Sequence, residues 1–448
     1  LIIMYRRRFI ISGLSGLAFT FFPRFSFASS NPDVVVIGAG SAGLAATNYL
    51  MQKGKTVICI EADNHIGGRV YTDNSIFGVP YDMGAHWIEA GKKNPYRIYG
   101  EKNKNELNVY PEGQEKYAFY DGDKRLKWPA DKEMWKVYDA AEAAIAKAKK
   151  DIAPIEVMPF KSSEYFDTAH LIIGPWVMAK DFSNYSCKDY NDAEWGTGSE
   201  WQCEQGYGTL VAHRWKDIPV KLNTEAKEIK WGGQGVQVET NKGTISAKAC
   251  VVTVSTGVLN AKKIKFTPDL SPEKYESFSG ISMGVYNHIA LQFKKNFFDI
   301  KEKDSYLYYK IRSQNVPSPK GFVGFLNMSG SNLSYFDTGG EFGRELEKEG
   351  EQASIDFVLT ELRTIFGSKV DKNLIKGHAT KWAANPLTLG SYATAEPGKA
   401  HLREVLRKSV GDRIFFAGEA TAKDWASVEG AHNSGETIAE KILQIIKS

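Results

Sequence analysis

An α/β fold built around a buried parallel sheet is predicted by three observations. Asp33-Val34-Val35-Val36-Ile37 is a short apolar run followed at once by Gly38-Ala39-Gly40-Ser41-Ala42-Gly43, and a helical pattern opens at Leu44. A second apolar run, 57–60, ends at Glu61, 21 residues beyond Gly40. Ala/Lys/Glu-rich helical patterns at 131–150 and 344–367 stand apart from the glycine turns. Continuous apolar runs of four or five residues read as strands covered on both faces, which is the condition of a parallel sheet flanked by helices.

Composition sets the frame for these elements. The chain has 448 residues, 42% hydrophobic and 25% charged, with 41 glycines against 16 prolines, which excludes collagen-like, disordered and small disulfide-scaffold classes. The length allows two large units. The formal charge is +4, but residues 1–28 carry Arg6, Arg7, Arg8 and Arg24 and no acid, so the remainder is balanced and no nucleic-acid footprint is expected.

Residues 1–28 read as an address. Arg6-Arg7-Arg8-Phe9 precedes the apolar stretch 10–22, and Ser26-Phe27-Ala28 offers small residues for cleavage, the pattern of a twin-arginine signal peptide. The apolar stretch is too short to span a bilayer. The expected consequence is export of an already folded, cofactor-loaded protein through the Tat translocase to the periplasm. Four cysteines are few for an exported chain. Cys59 and Cys250 sit in strand-like apolar runs, as small buried hydrophobes do, while Cys187 and Cys203 lie in polar, aromatic sequence and are open to forming one disulfide in an oxidising compartment. No Cys/His spacing matches a metal site.

The first strand, glycine turn and helix make a dinucleotide fingerprint. Gly38 makes the tight turn, Gly40 lets backbone approach a pyrophosphate, and Gly43 allows close helix–strand packing. Ser41 and Ala42 complete the turn before the helix expected to open at Leu44, whose N-terminus supplies the positive end for the phosphates, and Glu61 is placed to bind ribose hydroxyls. The next glycine turn, Gly67-Gly68-Arg69, adds backbone donors and a cation that a nicotinamide dehydrogenase does not need.

At this point the chain resembles the flavin-containing amine oxidases, the family of monoamine oxidases, polyamine oxidases and lysine-specific histone demethylases. The likeness runs over nearly all of residues 32–448. Tyr81-Asp82-Met83-Gly84-Ala85-His86-Trp87-Ile88-Glu89 is similar to the family's stretch beneath the flavin, and Gln205-Gly206-Tyr207-Gly208-Thr209-Leu210-Val211 to its return into the FAD unit. Ala226 matches a position that holds adenine through backbone. Phe415-Phe416-Ala417-Gly418-Glu419-Ala420-Thr421 and Val428-Glu429-Gly430-Ala431 match the C-terminal flavin motifs. The segment 428–438 is expected to be a helix whose N-terminus stabilises negative charge on the reduced ring.

The resemblance implies a Rossmann-type FAD-binding domain that is discontinuous, built from 32–95, 205–295 and 405–448. A mixed α+β substrate domain from 96–204 and 296–404 is inserted in it. It implies hydride transfer from an amine C–H to flavin N5, giving an imine that hydrolyses to a carbonyl and a smaller amine. The acceptor is oxygen or a periplasmic electron carrier. Tyr392 in Leu389-Gly390-Ser391-Tyr392 matches an aromatic wall before the flavin, though a core tyrosine fits the same sequence. Ser391 stands where monoamine oxidases carry the cysteine that bonds the cofactor, so noncovalent FAD is expected. The opposite wall falls to Ser427 or, by reach, Trp425. Trp382 matches a family tryptophan near the flavin. His288 replaces the lysine that holds a water near N5. A histidine can hold that water or accept a proton near neutral pH, a neutral imidazole there would lack lysine's fixed charge, and a histidine that only fills a strand position fits the same sequence.

Glu89 matches a glutamate of plant-type polyamine oxidases and is expected to pair with a distal ammonium. Asp189, Asp192, Glu194, Glu200 and Glu204 form an acidic run that either steers cations or is simply solvated. A polyamine or other cationic amine is the expected substrate. An amine dehydrogenase, an L-amino-acid oxidase and a flavoprotein scaffold without turnover stay open, as does a homo-oligomer.

Overall fold

The computed structural model describes residues 31–446 apart from 90–91, 113–115, 195, 299 and 313–315. The expected signal peptide lies outside these described residues.

The predicted parallel sheet is present. Its five strands lie in the order Ile414–Phe416, Ala249–Val252, Val34–Ile37, Val57–Ile60, Val220–Lys221, all parallel. Val34 is in register with Ala249 on one side and Val57 on the other. Every residue of Val34–Ile37 and Ala249–Val252 is buried, because two hydrophobic cores sandwich the sheet. That burial on both faces explains why these strands read as unbroken apolar runs and not as alternating ones.

The helix after the first strand spans Ser41–Gln52, opening three residues before the expected Leu44. Gly43 is therefore inside the helix, and the reason is steric: a Cβ there would lie 1.9 Å from the Gly38 carbonyl oxygen. The pattern at 131–150 is the helix Lys132–Lys147. The pattern at 344–367 is two helices, Gly340–Glu349 and Glu351–Phe366, interrupted at Gly350. The C-terminal helix runs Val428–Ile445, longer than the motif suggested, and Ser427 caps it by accepting from Gly430 N at 2.8 Å.

A second, seven-stranded sheet has the order Leu374–Ala379, Tyr286–Phe293, Leu333–Gly339, Val323–Leu326, Ser305–Tyr309, Tyr117–Asp121, Lys124–Leu126. It is antiparallel except where Ser305–Tyr309 meets Tyr117–Asp121. Strand Tyr286–Phe293 belongs to this sheet, so a cofactor-segment boundary drawn at 295 falls beyond a strand that pairs with the inserted segments. Sequence motifs end at the glycine turns, whereas strand partnership is a long-range property that no local pattern carries.

The four cysteines are free and buried. Cys187 packs with Phe182 and Trp425, and Cys203 in a different core with Tyr207 and Leu210, so the disulfide left open from sequence does not form. Among the described residues no helix is long and apolar enough to cross a membrane.

Candidate active site

A cavity of about 690 Å³ begins at the carboxyl ends of the parallel strands and runs to the large sheet. At the first end it is lined by Gly38, Gly40, Ser41, Ala42, Glu61 and Ala226. Gly38 takes φ +105°, the left-handed region that the tight turn requires. Gly43 is not in the lining, in keeping with its packing contact to Gly38. The first intrahelical bond runs from Leu44 N to the Gly40 oxygen, so the N–H groups of Ser41, Ala42 and Gly43 precede the ladder and supply the positive end of the helix.

Glu61 is held from two sides. Its Oε2 accepts from Ala39 N at 2.6 Å and its Oε1 from Asp63 N at 2.9 Å. The carboxylate is thus fixed at the end of its strand, facing the cavity, with lone pairs to spare for a diol. Glu61→Ala is expected to weaken FAD retention about fivefold, the worth of roughly one hydrogen bond, read by titrating apoprotein with FAD.

The middle of the cavity is lined by Gly67, Gly68, Arg69, Gly418, Glu419, Val428 and Ala431, while Gly430 lies behind, where a Cβ would be 2.1 Å from the Asp424 oxygen. The cation that the sequence reading placed here is paired within the protein. Arg69 Nη1 donates to Glu419 Oε1 at 2.9 Å and to the Ser391 carbonyl at 2.5 Å, tying three distant chain segments together. Glu419 also accepts from Ala393 N and Ala426 N. A carboxylate with this many donors is a clamp, and it cancels the arginine's charge locally.

At the far end Gly84, Ala85, His86, Trp87, Glu89, Trp382, Tyr392 and Ser427 line the cavity. Trp382 Nε1 donates to the Met83 carbonyl at 2.9 Å, which fixes the indole against the stretch containing Gly84. Tyr392 Oη donates to the carbonyls of Trp176 and Val177 at 3.2 and 3.1 Å. Its hydroxyl is thereby satisfied by backbone and its ring is left as wall. Tyr392→Phe should keep kcat/KM within about threefold, since only this bond is lost; steady-state rates with one amine check it.

Trp425 does not line the cavity. Its ring is buried among Phe182, Tyr185 and Met178, with the Arg403 guanidinium 4.7 Å from its centroid. Of the two residues that sequence offered for the opposite wall, Ser427 lines the cavity, as do two aromatics that sequence reasoning missed, Trp176 and Tyr306. Their rings meet edge to face at 5.9 Å, and Trp176 meets Trp87 at 5.6 Å. They come from the inserted segments, where no motif marks them.

The acidic run also separates in space. Asp189 is buried in a bidentate pair with Arg403, Asp192 pairs with Lys188, Glu194 with Lys423, and Glu204 accepts from Asn108. Only Glu200 of the five lines the cavity, beside Glu89. Burial, then the proximity of Glu200, Glu429 and Asp424, push the Glu89 carboxyl well above the usual carboxylate range. Burial and Asp424 push Glu429 up to about 7. Asn94 bridges the cluster, its Nδ2 donating to the Glu89 carbonyl and to Glu429 Oε2, both at 3.1 Å.

His288 is buried and lines the cavity. Its Nδ1 is 2.6 Å from Asp337 Oδ1 and its Nε2 is 2.8 Å from the Gly84 carbonyl oxygen. Burial opposes a charge on this ring, but Asp337 and the carbonyl outweigh it and raise the imidazole above the ordinary histidine range. Of the two protonation states open from sequence, this setting favours the charged ring. His86, whose Nδ1 is 3.4 Å from His288 Nε2, is pushed the other way by burial and by its neighbour, and its Nε2 has no partner among the described residues.

A glycine-turn cradle, a helix N-terminus, a ribose-ready carboxylate and an aromatic far end define a flavoenzyme site. Residues 41–443 match the family model described as flavin containing amine oxidoreductase. The chain belongs to that family, and it is an FAD-dependent amine oxidoreductase. It is similar to polyamine oxidase 4 of Oryza sativa subsp. japonica, 28% identical over 92% of this chain and 89% of that one, and to polyamine oxidase 2 of Arabidopsis thaliana, 28% identical over 92% and 88%. In fold it is similar to cyclohexylamine oxidase from Brevibacterium oxydans IH-35A, with a TM-score of 0.76 at 18% identity, covering 93% of this chain and 99% of that one. None of the four cysteines is in the cavity lining, so no thiol is placed there to bond a cofactor.

Proposed function

We propose that the chain oxidises a polyamine or related amine carrying a second positive charge, binding the distal ammonium at Glu89 and Glu200. The observation that carries this reading is the pair of carboxylates at the end of a cavity whose remaining walls there are aromatic: Trp87, Trp176, Tyr306 and Tyr392. An aromatic slot orients an alkyl amine and holds back water, while the carboxylates reward a cation several bonds away. FAD, when bound, supplies the hydride acceptor.

The chain's residues supply the rest. Gly38, Gly40, Ser41 and Ala42 would hold the diphosphate, Glu61 the ribose, and Ala226 the adenine. Gly68, Gly418, Glu419, Val428 and Ala431 would hold the ring system, with Gly84, Ala85, Trp87 and Trp382 packed along it. Tyr392, Trp176 and Ser427 flank the reacting amine. An amino-acid oxidase needs a guanidinium for the substrate carboxylate. Among the described residues lining the cavity the one arginine is Arg69, already paired with Glu419. The twin-arginine reading of 6–8 favours a periplasmic setting, in which oxygen or a carrier protein collects the electrons.

Anaerobic stopped-flow reduction of the FAD-loaded protein by putrescine, spermidine, tyramine and amino acids, followed by mixing with oxygen, tests the proposal. Fast bleaching by the diamine and triamine supports it. Faster bleaching by tyramine than by spermidine overturns the polyamine assignment, and slow reoxidation after fast bleaching marks a dehydrogenase that hands electrons to a carrier. A flavin inert to every amine would mark a scaffold.

A further inference from the structure

Two oxygen acceptors face the two ring nitrogens of His288, one from a carboxylate and one from a backbone carbonyl. Both oxygens of Asp337 are engaged, one by the ring and one by two donors. Asp337 Oδ2 accepts from Tyr286 Oη at 2.5 Å and from Trp176 Nε1 at 3.4 Å, which leaves Oδ1 as the acceptor that faces the ring. An imidazole that donates from both nitrogens is an imidazolium.

We infer that Asp337 is a positioning residue that fixes His288 as a permanent cation on the cavity wall, restoring with a buried His–Asp pair the charge that a lysine would carry there. The pair is neutral as a whole, but its arrangement is polar. His288 lines the cavity and Asp337 does not, so the positive partner faces the space that would hold the cofactor and the negative partner lies behind it. A buried cation on the wall favours the more negative forms of a redox ring held in the cavity.

The surroundings of His288 support a fixed charge over a titrating switch. Asp82, behind the Gly84 stretch, adds a favourable interaction. His86 stays neutral and accepts at most a shared hydrogen, while the Tyr335 ring lies 4.7 Å away and Tyr286 meets the imidazole edge to face at 5.5 Å. Thr380 Oγ1 accepts from the His288 backbone N at 2.9 Å and holds the strand, not the ring. Asp337 also stands behind two other parts of the wall, Tyr286 and Trp176, and the Trp176 carbonyl receives Tyr392. One carboxylate thus sets the positions of three wall side chains. This inference rests on FAD binding and is independent of which amine is oxidised.

The test uses the FAD-loaded protein with 15N-labelled histidine, His288 being assigned by loss of its signals in His288→Gln. Both ring nitrogens are expected to stay protonated from pH 6 to 9 in the parent, and His288 is expected to lose a proton near neutrality in Asp337→Asn. A parent His288 that titrates within that window overturns the inference. Sulfite, which places negative charge on oxidised flavin when it binds, gives a second reading that needs no amine. Its affinity should fall about tenfold in His288→Gln and Asp337→Asn and stay within about threefold of the parent in His288→Lys. Equal sulfite affinity in the parent and His288→Gln, with FAD retained, overturns the electrostatic role. If Asp337→Asn does not fold, the Gln and Lys variants at 288 decide it.

Discussion

Replacing Glu89 by Gln raises the KM of a diamine or triamine about thirtyfold while changing that of a monoamine of equal chain length by less than threefold, an expected difference of about 2 kcal/mol between substrates that share the reacting end. The reasoning starts from repulsion. Glu89 and Glu200 line one end of the cavity, and Glu429 and Asp424 lie close enough to add to the burial that pushes the Glu89 carboxyl upward. A second ammonium brought to this end relieves that repulsion and gains a desolvated ion pair, whereas a monoamine gains neither. Gln keeps the shape and one acceptor but removes the charge, so the loss falls on the distal cation and leaves the aromatic slot alone. Steady-state kinetics with putrescine and butylamine check it. Equal effects on both would place Glu89 in the wall and not in recognition.

The cofactor half of this site was open to sequence reasoning because its determinants are local. Gly38, Gly40 and Gly43 follow a strand within six residues, and Glu61 ends the next strand, so a short window holds turn, helix start and ribose ligand together. The substrate half was only partly open. Glu89 and Tyr392 lie in motifs that resemblance could carry, but Trp176 and Tyr306 reach the cavity, and Asp337 the wall side chains in front of it, through strand partnerships across the seven-stranded sheet and a helix packed beside it. Nothing near Asp337 in sequence points to His288, 49 residues earlier; it is the register of Tyr286–Phe293 against Leu333–Gly339 that sets His288 opposite Asp337. Trp425 failed for a related reason. It was assigned to the wall by the reach of its side chain alone. In the fold that indole packs in the core, with the Arg403 guanidinium 4.7 Å from its centroid. Composition could not separate Glu200 from Asp189 either, since both are acids in one charged run and only the fold puts Arg403 beside one of them.

Binding of a cationic amine is expected to strengthen about tenfold as pH rises from 6 to 8, with protons released on binding, because Glu429 changes charge near 7. Below that point its carboxyl is neutral, held so by burial and by Asp424, and contributes no attraction. Above it the carboxylate is carried against the repulsion of its neighbours until a cation arrives. The same shift has a stability consequence of opposite direction. A carboxyl whose folded value is raised from 4.5 to about 7 binds its proton more tightly folded than unfolded. Its contribution is therefore fully present below pH 4.5 and is lost as pH rises through 7. Solvent screening at this half-buried position holds the effect to about 1 kcal/mol. Glu429→Gln keeps an acceptor for Asn94 Nδ2 and removes the titration. The variant should match the parent in thermal midpoint at pH 5, exceed it at pH 8, and show a flattened acid limb in kcat/KM for spermidine. Calorimetric titration in two buffers of different ionisation enthalpy counts the released protons directly. A parent and variant that release the same number would move the titrating group away from Glu429 and onto Glu89, whose carboxyl the same neighbours hold high.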